Sequence, residues 1–250
     1  TALSNLISKS MAKPQFGKFS TNRVVVAIPE SKSFVRIIPI QKMRESEIET
    51  AVMFEAESYI PLPMDQVYFD WQILEDKGDT MDILMIASPK TYIDTYSDIL
   101  EKSGLKIAGI ETESQSVARA LVPLTVKEPI LIADMDAFKT ALVMVQNGTL
   151  QFTSSVPIAG NTFTQALSKA LSITPGDAEK LKHQVGFTNT VEYPNLKIQM
   201  LPALQDLAAE ITNILKFHYD HHEDHIGSLI LTGGGAKLQH IAEALEPMLE

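Results

Sequence analysis

Gly233, Gly234 and Gly235 stand in a row between an apolar run at 228–231 and a helix-type run at 238–249. Bare backbone there can approach a ligand, and helix N–H groups can face an anion or a nucleobase. A purely structural αβ connection fits the same residues. Two further segments add polar groups: Asp134-Met135-Asp136-Ala137-Phe138-Lys139-Thr140, between two strand-type runs, and Ala178-Glu179-Lys180-Leu181-Lys182, inside a helical one. Asp134 and Asp136 could form an acid pair for proton transfer, but a metal-facing or solvated turn suits their spacing better. His218, His221, His222 and His225 fall at i, i+3, i+4 and i+7. They would suit a metal only if one helix ran through all four, with neutral imidazoles as ligands. The run lies at a helix exit, where protonated histidines face terminal carbonyls, so the structural reading is preferred. The single Trp71 reads as core, or as an interface residue if exposed.

Composition removes several function classes. The 250 residues suffice for one large core or two smaller ones. The absence of cysteine excludes disulfides, thiolate metal sites and a cysteine nucleophile. No run of apolar residues is long enough for a membrane span, and no secretory signal can be read. A net charge of -10 argues against non-specific nucleic-acid binding. The first residue is Thr1, so the chain is expected to be a piece of a longer protein.

Charge is segregated along the chain. Residues 1–44 carry eight Lys/Arg against Glu30 alone, whereas residues 45–82 carry eleven Asp/Glu against Lys77 alone. The acidic stretch is either a patch for a basic partner or a set of solvated faces.

The elements that must position these residues follow from periodicity. Helices are expected at 2–11, 46–59, 91–103, 114–121, 162–171, 175–184, 202–219 and 238–249; Ser46 with Glu49 is read as a capping box and Pro202 as a helix start. Strands are expected at 23–28, 34–40, 67–74, 82–87, 106–111, 130–134, 140–146 and 149–156, with another at 228–231. Asn147-Gly148 joins a hairpin, since both residues tolerate positive φ. Residues 34–87 thus form a compact βαββ module, 122–129 reads as a linker, and 186–200 as irregular.

The segments Phe54-Glu55-Ala56-Glu57-Ser58-Tyr59-Ile60-Pro61-Leu62-Pro63, Pro157-Ile158-Ala159-Gly160-Asn161 and Leu231-Thr232-Gly233-Gly234-Gly235-Ala236, in this order, give the chain its resemblance. It resembles the actin-like ATPase superfamily, and within it the PilM family of type IV pilus assembly proteins, from about Arg23 onward. The resemblance implies an α/β fold: an actin-like (ribonuclease H-like) core with an inserted βαββ subdomain, called 1C, and with its N-terminal part missing. The implied division is 1–32 as a remnant of subdomain 1A, 33–88 as 1C, 89–127 as 1A resumed and 128–250 as subdomain 2A.

The resemblance also implies roles. Gly233, Gly234 and Gly235 are similar to the adenosine motif, Glu179 and Lys182 to the pair that brackets ribose and base, and Asp134 and Thr140 to the ends of the phosphate-2 loop, with Gly160 beside it. Asp136 stands where the family has glycine and puts a negative charge toward phosphate. The phosphate-1 hairpin is missing, so the expectation is half a site: ATP and Mg²⁺ belong to the full-length family, and this chain is expected not to bind them. The implied function is a cytoplasmic scaffold of the pilus inner-membrane platform, peripheral to the membrane. It would bind the basic cytoplasmic tail of a PilN-like membrane protein together with other platform proteins, without nucleic acid or direct membrane insertion. Glu55, Glu57, Tyr59 and Ile60 are the expected tail-binding residues. A superfamily ATPase or sugar kinase, and a cell-division filament protein like FtsA, are the alternatives; a kinase would need a catalytic carboxylate and an intact phosphate cradle, and neither is legible.

Overall fold

The computed structural model describes residues 2–189, 192–221 and 224–249. The chain divides into two compact units, Thr1–Ser116 and Val117–Glu250.

In the first unit, α1 (Ala2–Ala12) precedes β1 (Arg23–Ile28), a β-branched run that Pro29 terminates. β1 pairs in parallel with β5 (Lys106–Thr112), Arg23 opposite Lys106 and Ile28 opposite Thr112. Between these two strands in sequence lies the βαββ module, which is therefore an insertion. It consists of β2 (Phe34–Gln41), α2 (Glu45–Glu57), β3 (Val67–Asp76) and β4 (Thr80–Pro89). β4 is the central strand of an antiparallel sheet in the order β2-β4-β3. Strand alternation sends Ile38, Ile40, Met81, Ile83, Met85 and Ala87 to one face, where Ile48, Val52 and Ala56 of α2 meet them; Trp71 packs partly buried against this cluster. The module thus has its own core. The far face of the sheet places Tyr68 opposite Ser88 and Asp70 opposite Ile86. α3 (Lys90–Lys102) and α4 (Glu113–Leu121) flank β5.

The second unit is built on a four-stranded sheet in the order β8-β7-β6-β9. β6 (Ile130–Met135), β7 (Thr140–Gln146) and β8 (Thr149–Val156) run antiparallel, and β9 (Ser228–Thr232) joins β6 in parallel. Asn147 and Gly148, at φ 53° and 72°, turn the β7-β8 hairpin as expected. α5 (Gly160–Leu171), α6 (Pro175–Val185) and α7 (Leu196–His221) cover the sheet, and Leu131, Leu142, Phe163, Leu167, Met200 and Leu204 are fully buried between them.

Four local expectations are corrected. α2 is capped at Arg44, not Ser46: the Glu47 carboxylate accepts the Arg44 N–H and pairs with its guanidinium, so Ser46 lies inside the first turn and Glu49 caps nothing. α7 begins at Leu196, so part of the stretch read as irregular is helical and Pro202 sits inside the helix. Leu196, Met200, Ala203 and Leu204 form one buried stripe, and their burial outweighs the hydrogen bond that proline removes. The final helix is α8 (Ile241–Leu245) alone; Gly235–Lys237 and Glu246–Met248 are 3₁₀ turns, because His240 is left-handed and Pro247 follows. Several strands, β4 most clearly, run a few residues beyond their expected ends.

Candidate functional site

The carboxyl ends of β6 and β9 bring the glycine row against the Asp134 segment. Gly233 has φ +81°, and a Cβ there would sit 2.6 Å from Asp134 Oδ1 and 2.7 Å from the Met135 carbonyl. A Cβ on Gly235 would meet Met135 Cβ at 2.7 Å. Both are therefore glycines for packing reasons. Gly234 has an ordinary helical backbone and open space where its Cβ would be. It lines a small cavity of about 130 Å³ with Asp136, Asn161, Glu179, Lys182 and His183.

Thr174 starts α6 by accepting the Asp177 N–H, with Pro175 at the first helical position. This register puts Glu179, Lys182 and His183 on one face at i, i+3 and i+4. Lys182 is 3% exposed, and its ammonium donates to the Gly160 carbonyl at 2.9 Å, Thr164 Oγ1 at 2.9 Å and Glu179 Oε2 at 2.8 Å. An ammonium has three protons, so all are committed within the protein. Glu179 also holds Thr164 and, at 2.9 Å, His183 Nε2. Burial is the largest single influence on Glu179 and pushes its pKa up, but the hydrogen bonds of Lys182, Thr164 and His183 and the Lys182 charge together hold it below the usual carboxylate range.

The first amides of α5 are committed too. Gly160 N–H donates to the Asp136 carbonyl at 2.9 Å and Asn161 N–H to that of Ala137 at 2.8 Å. Thr162 Oγ1 accepts the Ala159 N–H at 3.0 Å. Thr140 is fully buried, and its hydroxyl donates to the Ile158 carbonyl at 2.5 Å, away from the cavity. Asp134 packs on Gly233 and does not line the cavity either. The structure thus gathers Gly160, Glu179, Lys182, Gly234 and Gly235, and leaves Asp134, Thr140 and Gly233 supporting them. Thr164 and His183, which sequence reasoning missed, complete the network; their only signal is the helical spacing from Gly160 and Glu179.

These groups do not fit a nucleotide triphosphate in the arrangement they adopt. Sites for small organic ligands run to about 300–1,000 Å³, the buried cation is saturated, and Asp136 adds a negative charge at the cavity wall.

The histidine run does not form one helical row. α7 ends at His221, and His222 lies outside the described residues. Buried His218 bonds Asp224 through Nε2 at 3.1 Å, His221 donates to the Phe217 carbonyl at 2.8 Å, and His225 stacks on Tyr219. Among the described residues no group of three potential ligands is placed to hold a metal.

A second, larger cavity, about 400 Å³, lies within the first unit on the far face of the module's sheet. Ile28, Ile86, Ile93 and Ile110 give it apolar walls, and Asp70, Asp94 and Glu111 line it as acids. Tyr68 donates to Asp94 at 3.0 Å, and this hydrogen bond is the main reason its phenol pKa is raised. Glu55 and Glu57 are exposed on α2, on the opposite face of that sheet. Tyr59, under the Arg36 guanidinium at 4.4 Å, and buried Ile60 line a separate pocket of about 250 Å³ with Phe34 and Met85.

The sequence matches the family described as Type IV pilus assembly protein PilM over residues 1–250. The solved PilM-PilN type IV pilus biogenesis complex superposes with a TM-score of 0.77 at 23% identity, covering 99% of this chain and 72% of that one. MreB 5 of Spiroplasma citri, solved bound to AMPPNP, gives a TM-score of 0.50 at 16% identity over 64% of this chain and 57% of its own. The cell division protein FtsA of Bacillus subtilis is 21% identical over 92% of this chain, which spans 58% of the FtsA length. These likenesses make the fold actin-like α/β. Among the described residues no helix is long and apolar enough to cross a membrane.

Proposed function

Because this chain belongs to the PilM family of type IV pilus assembly proteins, we propose that it is a scaffold of the pilus assembly platform that holds the cytoplasmic tail of a PilN-like membrane protein. The observation that carries this reading is the apolar cavity of about 400 Å³ rimmed by Asp70, Asp94 and Glu111. Tails on the cytoplasmic side of a membrane span are rich in Lys and Arg, so a tail with apolar anchors and basic flanks matches both the walls and the acids. Other platform proteins would assemble around this pair, and the chain would be cytoplasmic, held at the inner membrane through its partner.

The other ten acids of 45–82 act at longer range. Exposed charges outside the contact mainly accelerate encounter, within about 8 Å of screening at physiological salt. Glu55 and Glu57, on the other face of the sheet, belong to this class, whereas Asp70 and Ile86 belong to the contact. Stopped-flow and equilibrium titration with a tail peptide separate the two. Glu55→Lys with Glu57→Lys should slow association and flatten its salt dependence with little change in dissociation. Asp70→Lys or Ile86→Asp should speed dissociation at least tenfold, ~1.4 kcal/mol. Dissociation unchanged by both groove variants would refute the groove reading.

Nucleotide has a minor place in this proposal. With Lys182 and the first α5 amides engaged internally, the chain should bind Mg-ATP weakly or not at all. Calorimetry showing a dissociation constant near ~1 μM, about -8 kcal/mol, would contradict that.

A further inference from the structure

We infer that the tail enters the groove as an added strand on the β3 edge, exchanging main-chain hydrogen bonds with Phe69. The inference rests on the groove reading above and specifies how the groove holds its occupant. β3 is an outer strand of its sheet, and among the described residues it pairs with β4 alone. Along such a strand every second residue turns its N–H and C=O away from the neighbour. Two donors fix which residues these are. Val67 N–H donates to the Met64 carbonyl, and Trp71 N–H donates to Asp70 Oδ1 at 2.9 Å. Neither reaches β4, so the N–H and C=O of Phe69, midway between them, face outward as well.

The side chains locate that edge. Alternation puts Phe69 on the α2 side of the sheet, where its ring packs against the module's core, and puts Tyr68 and Asp70 on the far side. Yet Tyr68, Phe69 and Asp70 all line the groove. With its ring turned away, Phe69 contributes main chain to that wall. The edge is guarded on both sides of it, by the Met64 carbonyl at Val67 and by the Asp70 carboxylate at Trp71. An extended peptide therefore finds an open donor at one position of this stretch, with an acceptor on the same residue, and that sets its register. Its side chains on the groove face meet Ile86 and Ile93, and basic ones meet Asp94 and Glu111. A helical tail would leave Phe69 unused, because its own main chain is already bonded.

The test is amide hydrogen exchange on the isotope-labelled full-length gene product, with synthetic peptides of the PilN-like partner's cytoplasmic tail. Without peptide, Phe69 N–H should exchange quickly. Saturating peptide should slow it by at least ~10-fold, while Val67 and Trp71, whose amides already have partners, change less. Tail peptides N-methylated one residue at a time should bind about threefold to tenfold more weakly at the residue whose N–H meets the Phe69 carbonyl. Methylation of its two neighbours should matter little, since those amides point away. Binding that Ile86→Asp weakens but that leaves Phe69 exchange unchanged would overturn the strand arrangement and leave the groove reading standing. No binding by any tail peptide would remove both. Slow Phe69 exchange before peptide is added would show that another segment already holds this edge, and concentration-dependent slowing without peptide would assign it to a second copy; either result overturns the proposal.

Discussion

Gly233 and Gly234 are neighbours with opposite constraints. Gly233 needs positive φ and has Asp134 Oδ1 where a Cβ would go, while Gly234 needs neither. Gly233→Ala should therefore cost on the order of 2 kcal/mol or more, and Gly234→Ala should stay within about 0.5 kcal/mol; urea denaturation measures both. The row was legible as special, but which glycine is structural was not, because that depends on what the neighbouring strand places 2.6 Å away. Similarly, the spacing of Glu179 and Lys182 was legible, and the saturation of Lys182 by Gly160 and Thr164 was not, since those partners come from another helix. Glu179 has a second consequence. Its folded pKa is lowered, so its contribution to stability is present above the unfolded carboxylate range, near pH 4.3, and is lost as pH falls through the folded value. Glu179→Gln should accordingly flatten the decline in unfolding free energy as pH falls below about 5, with little change in that slope near neutral pH.

At the scale of elements, α7 shows where packing overrides a local signal. Pro202 reads as a helix start, yet Leu196 and Met200, six and two residues ahead of it, are buried and extend the helix to that side. Proline inside a helix costs about 3 kcal/mol relative to alanine. Pro202→Ala would restore an N–H toward the carbonyl four residues back, and should raise stability by about 1–3 kcal/mol, seen as a higher urea midpoint with an unchanged slope. The β7-β8 hairpin needed no such override: Asn147-Gly148 and the flanking alternation agree, and its strand ends were read to the residue. The α2 cap was missed for the opposite reason. Glu47 pairs with Arg44, whose type carries no capping signal, and so displaced the Ser46 signal.

For the molecule as a whole, the module's core and the core of the second unit share no residue. Ile83, fully buried in the module, should on truncation to alanine cost about 2–5 kcal/mol. Hydrogen exchange should then accelerate for amides of 34–89 while those of β6, β7 and β8 keep their protection. Uniform acceleration would mean that the chain opens as one cooperative unit. The module's insertion between β1 and β5 also sets a schedule for biosynthesis. At about 5–20 residues per second, β1 leaves the ribosome roughly 4–16 s before its partner strand exists. During that interval Val24, Val25 and Val26 present an unpaired strand edge, a template for pairing with another chain. The module's first and last strands begin and end side by side, Phe34 opposite Ala87. Once folded, it draws the chain on either side of it together, so that β5 emerges beside a waiting β1 and the time available for mispairing along the edge that β5 takes ends there.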